Sequence, residues 1–257
     1  MSRRLEDLSG PEIGERITET AVFIQPIGAV EQHGPHLPLS VDHVIAHETA
    51  NALVDAYGES SDLWLLPTMS VSKSNEHAWS PGTLWYSATT MLAVLDDIGR
   101  SVATTAANRL VFLNGHGGNS SLLNVACREI RLSHGLKTFL VHPFVPADQG
   151  GVSPETELGM GVHGGHHETS VFMHLRPDLV HIEKASRAVP DRLADNKHVK
   201  FGGLTSFGWL SNDFFDHGYI GDPTAATAAE GKRLFEASVE LLGEQMAEIA
   251  RFDFGHR

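Results

Sequence analysis

The segment from Pro26 to Asp42 carries side chains that could bind metal ions, and it follows directly on a hydrophobic run. Glu31, His33 and Asp42 offer the carboxylate oxygens and imidazole nitrogens that Zn, Mn and Fe(II) accept. If the chain is still extended there, Glu31 and His33 project to the same side. Turn-forming residues after His33 could bring Asp42 back to the same place as Glu31 and His33, and its two oxygens could bridge two cations. The alternative interpretation is a solvated loop with Asp42 as a structural helix cap.

A second candidate follows the hydrophobic run Leu110–Asn114, where the chain reads Gly-His116-Gly117-Gly118-Asn. His116 is expected at the carboxyl edge of a sheet. The glycines let backbone and substrate approach closely and could expose N–H groups to a developing oxyanion. The turn matches neither of the common glycine-rich phosphate-binding motifs. A plain tight turn is equally compatible with these residues.

A third cluster contains His163, His166, His167 and Glu168, ahead of an apolar segment. Glu168 would be costly to bury there unless it is paired or bound to a metal. The four side chains cannot all be ligands. We expect one or both of His166 and His167 to support a ligand or to be solvated.

A fourth segment, between Ser72 and Thr83, contains Glu76, His77 and Trp79 and could line a substrate pocket; the alternative is an ordinary polar surface loop. Nucleophilic catalysis is disfavoured. Cys127 lies within a predicted helix as a small buried side chain, and Ser170 lacks the Gly-x-Ser-x-Gly turn of serine hydrolases.

The elements that would position these residues alternate along the chain. Short strand-like runs are separated by longer segments of helical character, which predicts an α/β fold with a mostly parallel sheet flanked by helices. The runs are 22–27, 63–67, 109–114 and 137–142. Helical spacing of apolar residues covers 89–109 and 235–249, each with one face expected on the sheet, and helices are also predicted over 42–57 and 119–134. Ligands then fall at strand-to-helix turns, where parallel sheets form their ligand crevices. Segments 143–160 and 190–222 are predicted to be long loops over the site or at subunit contacts.

Composition bounds the class of protein. The 257 residues, 41% of them hydrophobic, fit one α/β domain spanning 1–257. A formal charge of −13 without a basic cluster disfavours nucleic acid and anionic membranes as partners. The beginning of the chain lacks an apolar leader, no run approaches ~18 apolar residues, and the lone cysteine cannot form an internal disulfide. We therefore expect a soluble cytoplasmic protein.

Four motifs together resemble the creatininase (creatinine amidohydrolase) family in its usual order. They are Glu31–Leu39 with Asp42, Pro81–Thr83, Asn114–Asn119 and His163–Ser170. The resemblance implies a single α/β domain with two divalent metal ions, zinc most expected and manganese or iron also accepted. It also implies hydrolysis of a C–N bond in a small-molecule cyclic amide or formamide, in a homo-oligomer that is commonly a hexamer.

Carried over residue by residue, the resemblance implies that one metal is held by Glu31, Asp42 and His116. The other is held by His33, Asp42 and Glu168, so that Asp42 is the bridge. His163 matches the position that carries the catalytic proton. The residues expected to contact substrate are Glu76, His77, Trp79, Gly117 and Gly118.

This sequence departs from creatininase itself, which has Tyr-Glu where this chain has Gly117-Gly118. The Gly-Gly form is typical of other branches of the family, the formamidopyrimidine-type deformylases and the peptidases that trim the mycofactocin precursor. Three rival functions stay open: a lactone or ester hydrolase on the same dinuclear site, nucleotide handling through the glycine-rich turn, and a non-catalytic metal-stabilised binding protein.

Overall fold

A four-stranded parallel sheet forms the centre of the protein, seen in a computed structural model that describes residues 2–255. Its strands are β1 (Val22–Ile27), β2 (Leu63–Leu65), β3 (Arg109–Asn114) and β4 (Lys137–Val141), in the order β2-β1-β3-β4. The two central strands, β1 and β3, are buried along their whole length, which is why they read as continuous apolar runs. The predicted α/β fold with a parallel sheet is confirmed.

Within residues 2–255, six α-helices surround the sheet: α1 (Gly10–Arg16), α2 (Val41–Tyr57), α3 (Ala88–Val102), α4 (Ser120–His134), α5 (His166–Leu175) and α6 (Ala228–Arg251). Because side chains alternate along a strand, the sheet has two apolar faces. On one face Phe23 and Phe112 pack in a cluster with residues of α3 and α4. On the other, Ile24 and Val111 pack in a cluster with residues of α2 and α6. Both faces are therefore covered.

Some predicted boundaries are wrong. β2 and β4 end at Leu65 and Val141, short of the predicted Pro67 and His142, and α3 stops at Val102 rather than continuing toward Arg109. The apolar face of α6 also packs against two different clusters rather than against the sheet alone. Its later residues pack against the sheet, whereas Phe235 packs in a separate cluster with Phe172 of α5. A regular apolar spacing identifies a buried face without identifying what covers it.

The long connections before and after α5 contain short 3₁₀ turns and isolated bridges rather than strands. One bridge joins His163 to Ile220 and another joins Ala188 to Gly221. Ile220 belongs to a small apolar cluster with Met160, Val189 and Phe201. The predicted loops thus have a core of their own and are anchored beside His163. Among the helices within residues 2–255, none is long and apolar enough to cross a membrane.

Gly28 lets α2 pack closely against the end of β1, and we expect Gly28→Ala to destabilise the protein. A Cβ at this position would lie 2.5 Å from the Cα of His43. Overpacking against backbone costs about 1–3 kcal/mol of unfolding free energy. Gly14→Ala, in α1 with open space around it, is the matched control and should stabilise by up to about 1 kcal/mol. Urea denaturation of both variants measures this, and equal stabilities would contradict the packing argument.

Candidate metal centre

Five polar side chains meet near the carboxyl ends of β1 and β3. Glu31 and His33 lie in the loop after β1, Asp42 in the first turn of α2, His116 after β3, and Glu168 in the first turn of α5. All are buried except Glu168, which is partly exposed. The ligand atoms of Glu31, Asp42 and His116 lie within 4.8 Å of one another, as do those of His33, Asp42 and Glu168. The structure thus brings together the five side chains that the sequence singled out.

Asp42 lies between the two histidines, with one carboxylate oxygen toward each. Its Oδ1 is 3.2 Å from Nε2 of His33, and its Oδ2 is 3.0 Å from Nδ1 of His116. The N-cap position of α2 belongs to Ser40, so Asp42 is not the structural cap of the alternative interpretation. Gly115 is close to the same turn, since a Cβ there would lie 2.8 Å from the Asp42 carbonyl oxygen.

Backbone carbonyls orient both imidazoles. His33 Nδ1 lies 3.1 Å from the Glu31 carbonyl oxygen, and His116 Nε2 lies 3.1 Å from that of Lys73. Because a carbonyl oxygen only accepts, each of these nitrogens carries a proton, and the other nitrogen, which faces the carboxylates, presents a lone pair once it gives up its own proton. In the described part of the chain, the buried oxygens Glu31 Oε1 and Asp42 Oδ2 have no hydrogen-bond partner. Lone pairs that converge in this way fit a divalent cation bound by N and O ligands.

The buried charges also influence one another. Burial raises the pKa of Glu31 to about 7, with the Asp42 carboxylate adding to the effect. Burial opposes ionisation of Asp42 as well, but His33 and His116 outweigh it and lower the pKa of that carboxyl. Burial likewise opposes the charge on His33 and His116, yet the facing carboxylates raise both pKa values well above the usual range. Protons and cations would therefore compete for the same lone pairs.

His163 adjoins this cluster with one nitrogen free to act. Its Nε2 donates to the Gln32 carbonyl oxygen at 2.6 Å, so Nδ1, which lies 3.7 Å from Glu31 Oε1, carries the lone pair. Burial, followed by the charge of His33, holds the pKa of His163 well below its usual value. A neutral ring in this position could accept a proton. It could equally act as a metal ligand with Glu31 and His33, whose ligand atoms lie within 4.8 Å.

The five residues predicted to contact substrate divide into two groups. Glu76, Gly117 and Gly118 line a cavity beside the cluster. His77 is buried. Its Nε2 lies 3.2 Å from Glu31 Oε1 and its Nδ1 lies 3.0 Å from Gln32 Nε2, so that it contacts the candidate metal ligand Glu31. Trp79 is not brought to the cluster. Its indole N–H donates to Ser211 Oγ at 2.6 Å, and its ring packs against Gly218 of a distant loop.

Two adjoining cavities lead to the cluster. The smaller, of about 100 Å³, is lined by apolar residues of 143–147 together with His166 and His167. The larger, of about 410 Å³, is lined by Lys73, Glu76, Phe207 and Trp209 among others. The residues that line both are Gly117, Pro146, Val162, His163 and Glu168. A substrate could therefore extend to both sides of the cluster.

Sequence reasoning missed residues that hold the cluster together. The buried Glu157 accepts backbone N–H bonds from His166 and Asp222, both at 2.8 Å, and so fixes the N-terminus of the helix that carries Glu168. Three glycines make room for its carboxylate: Gly161, Gly165 and Gly221. The amide of Gln32 bonds His77 and the carbonyl oxygen of Gly218. The glycine-rich surroundings of Glu157 were the available signal in the sequence.

This protein has a parallel sheet with buried carboxylates and imidazoles beyond its strand ends. It therefore falls in the class of α/β proteins with a candidate metal-hydrolase site. The sequence model of the creatinine amidohydrolase family matches residues 6–246. The chain therefore belongs to the creatininase family.

Two curated relatives have named activities. A mycofactocin precursor peptide peptidase of Mycobacterium ulcerans is 33% identical, over 95% of this chain and 94% of its own. A creatinine amidohydrolase of Pseudomonas putida is 29% identical, over 88% of this chain and 89% of its own. Both relatives are hydrolases that act on C–N bonds.

Solved structures match the fold. A creatininase described as the Mn form has a TM-score of 0.74 at 23% identity, covering 96% of this chain and 98% of its own. A mutant creatininase of the Zn-Zn type has a TM-score of 0.72 at 23% identity, with the same coverage. The resemblance in sequence to creatininases is thus matched by a resemblance in fold along nearly the whole chain.

Removal of the Asp42 carboxylate should abolish metal binding. In Asp42→Ala the two candidate groups that share Asp42 each lose a member, so we expect the purified variant to contain almost no Zn, Mn or Fe, whereas the wild-type protein should contain two equivalents. Elemental analysis of protein purified without added metal measures this. Asp55→Ala, an exposed position on the same helix, is the control and should keep the wild-type content. Full metal content in Asp42→Ala would refute the role of Asp42.

Proposed function

We propose that this protein hydrolyses an amide C–N bond with two divalent metal ions, zinc most expected and manganese or iron also accepted. The observation that carries the proposal is Asp42, with one oxygen facing His33 and the other facing His116. Glu31, Asp42 and His116 would hold one ion, and His33, Asp42 and Glu168 the other. Three carboxylates and two neutral imidazoles match two divalent ions in donor type, and the three negative charges would offset most of the four positive charges.

Divalent ions in such a site supply a water of lowered pKa and polarise the carbonyl of the substrate. The chain contributes the geometry around them. Ser74 donates its hydroxyl to Glu31, and the backbone N–H of Gly164 donates to Glu168 Oε2 at 2.6 Å. Each carboxylate therefore has one oxygen tied to the protein and the other directed to the cluster. The ligands are oriented before any ion binds.

His163 is proposed to carry the proton. Its Nδ1 faces the cluster beside Glu168, at the wall shared by both cavities, while Nε2 is fixed on the Gln32 carbonyl. In amide hydrolysis the leaving nitrogen must be protonated before the C–N bond breaks. A neutral imidazole with one free nitrogen could take a proton during attack and return it to that nitrogen.

The proposed substrate is a small amide, either cyclic or peptide-like. The cyclic amide or formamide follows from the resemblance to creatininase. The peptide-like amide is supported by the peptidase among the relatives and by the two cavities that extend to both sides of His163. Phe207 and Trp209 offer apolar surface to such a substrate. The homo-oligomeric assembly and the cytoplasmic location stay predictions.

His163→Ala should retain two equivalents of metal and lose turnover. Loss of a general acid or base lowers kcat by about 10²–10⁴-fold. Elemental analysis and kcat are measured on the same preparation, with His181→Ala as a control at a half-exposed histidine outside the cluster. Unchanged turnover would refute the proton-carrier role. Loss of one metal would instead make His163 a ligand with Glu31 and His33.

A matched substrate panel separates the rival functions. We expect hydrolysis of amides, with short peptides and cyclic amides compared directly against the lactones and esters of the same skeletons. Activity should disappear with a chelator and return with added zinc or manganese. Preference for lactones or esters would establish the rival hydrolase. Metal-dependent stability without hydrolysis of any compound would establish the non-catalytic binding protein.

A further inference from the structure

The carboxylate of Glu76 occupies the space beside the glycine-rich turn. It is only 8% exposed, with Oε1 3.2 Å from His116 Nε2 and Oε2 2.8 Å from Lys73 Nζ. A Cβ at Gly118 would lie 1.6 Å from Glu76 Oε1 and 2.5 Å from His116 Nε2. The absence of a side chain at Gly118 is therefore what allows Glu76 to reach His116.

The partners of His116 define what the contact does. Nε2 faces two oxygens, the Lys73 carbonyl at 3.1 Å and the Glu76 carboxylate at 3.2 Å, and both only accept. Nδ1 faces Asp42 and Glu31. A metal-binding histidine commonly donates its other N–H to a carboxylate or carbonyl, which fixes the ring and makes it a stronger ligand.

Glu76 is held in place independently of His116. The backbone N–H of Ser211 donates to the Glu76 carbonyl oxygen at 3.0 Å, and Lys73 neutralises its carboxylate. Two hydrogen bonds of the Asn119 side chain join the same loop to the glycine-rich turn. Its Nδ2 donates to Ser72 Oγ, and its Oδ1 accepts from the Lys73 backbone N–H. The carboxylate therefore lies on a scaffold that can orient the ring.

We infer that Glu76 is a positioning residue for His116, and that it strengthens the binding of the ion held by Glu31, Asp42 and His116. The inference rests on the proposed function and adds to it a role that differs from substrate contact. Glu76 and Gly118 act as a pair, because the carboxylate fits only if residue 118 has no side chain. His116, the ligand that Glu76 contacts, belongs to the first of these two groups and not to that of His33, Asp42 and Glu168.

The test is a double-mutant cycle of Glu76→Ala and Gly118→Ala, read out as zinc affinity by competition with a chromophoric chelator. Loss of an outer partner of a metal-binding histidine weakens affinity by about 10–100-fold. We expect that loss for one of the two ions in Glu76→Ala. Gly118→Ala should lose at least as much, because its methyl group displaces the carboxylate and also crowds His116 Nε2. The double variant should be no worse than Gly118→Ala, since the alanine at 118 has already removed the contact between Glu76 and His116.

The controls separate the possible outcomes. Glu59→Gln, at an exposed position, should bind both ions as the wild type does. Unchanged affinity for both ions in Glu76→Ala, with a raised KM alone, would make Glu76 a substrate contact and overturn the inference. If Glu76→Ala weakens the binding of both ions equally and also lowers the melting temperature, Glu76 is only a structural anchor, and the inference is overturned as well. Fewer than two ions in the wild type would refute the proposed function itself.

Discussion

The arrangement of the site depends on three carboxylates gathered at the ends of two strands. Burial of an ionised carboxylate is costly unless positive charge or hydrogen-bond donors compensate it. Here His33 and His116 turn one nitrogen toward the acids, while a backbone carbonyl holds the other. Without ions, protons on these rings provide the compensation. Bound cations would provide it with more charge, so metal binding and folding stability should be coupled.

Helices rather than loops hold two of the five candidate ligands, Asp42 and Glu168. Asp42 belongs to the first turn of α2, which Gly28 and Gly115 allow to approach the strand ends. Glu168 belongs to the first turn of α5, whose N-terminus is bound by Glu157. These two ligands thus depend on helix starts that are packed or hydrogen-bonded to another segment. Sites supported in this way keep their geometry better than sites on mobile loops.

Much of this could be predicted from the sequence, and the exceptions have a physical reason. The central strands are buried along their whole length, so their apolar runs gave both boundaries correctly. The candidate ligands could be found because each follows a strand or begins a helix. From the sequence Trp79 is expected to line the substrate pocket, yet its indole N–H donates to Ser211, which is 132 residues away along the chain. Glu157 was missed for the same reason, since long-range hydrogen bonds leave no periodic signal.

The Gly117-Gly118 pair distinguishes this chain from creatininase beside the candidate ligand His116. Creatininase has Tyr-Glu at these positions, whereas here the missing side chain of Gly118 leaves space that the carboxylate of Glu76 fills from another loop. That loop also lines the larger cavity. A substitution that reshapes the cavity there will therefore also move a partner of His116. If Glu76 positions His116 as inferred, pocket shape and metal affinity are coupled, and a substitution at residue 118 would alter metal affinity unless residue 76 changed with it.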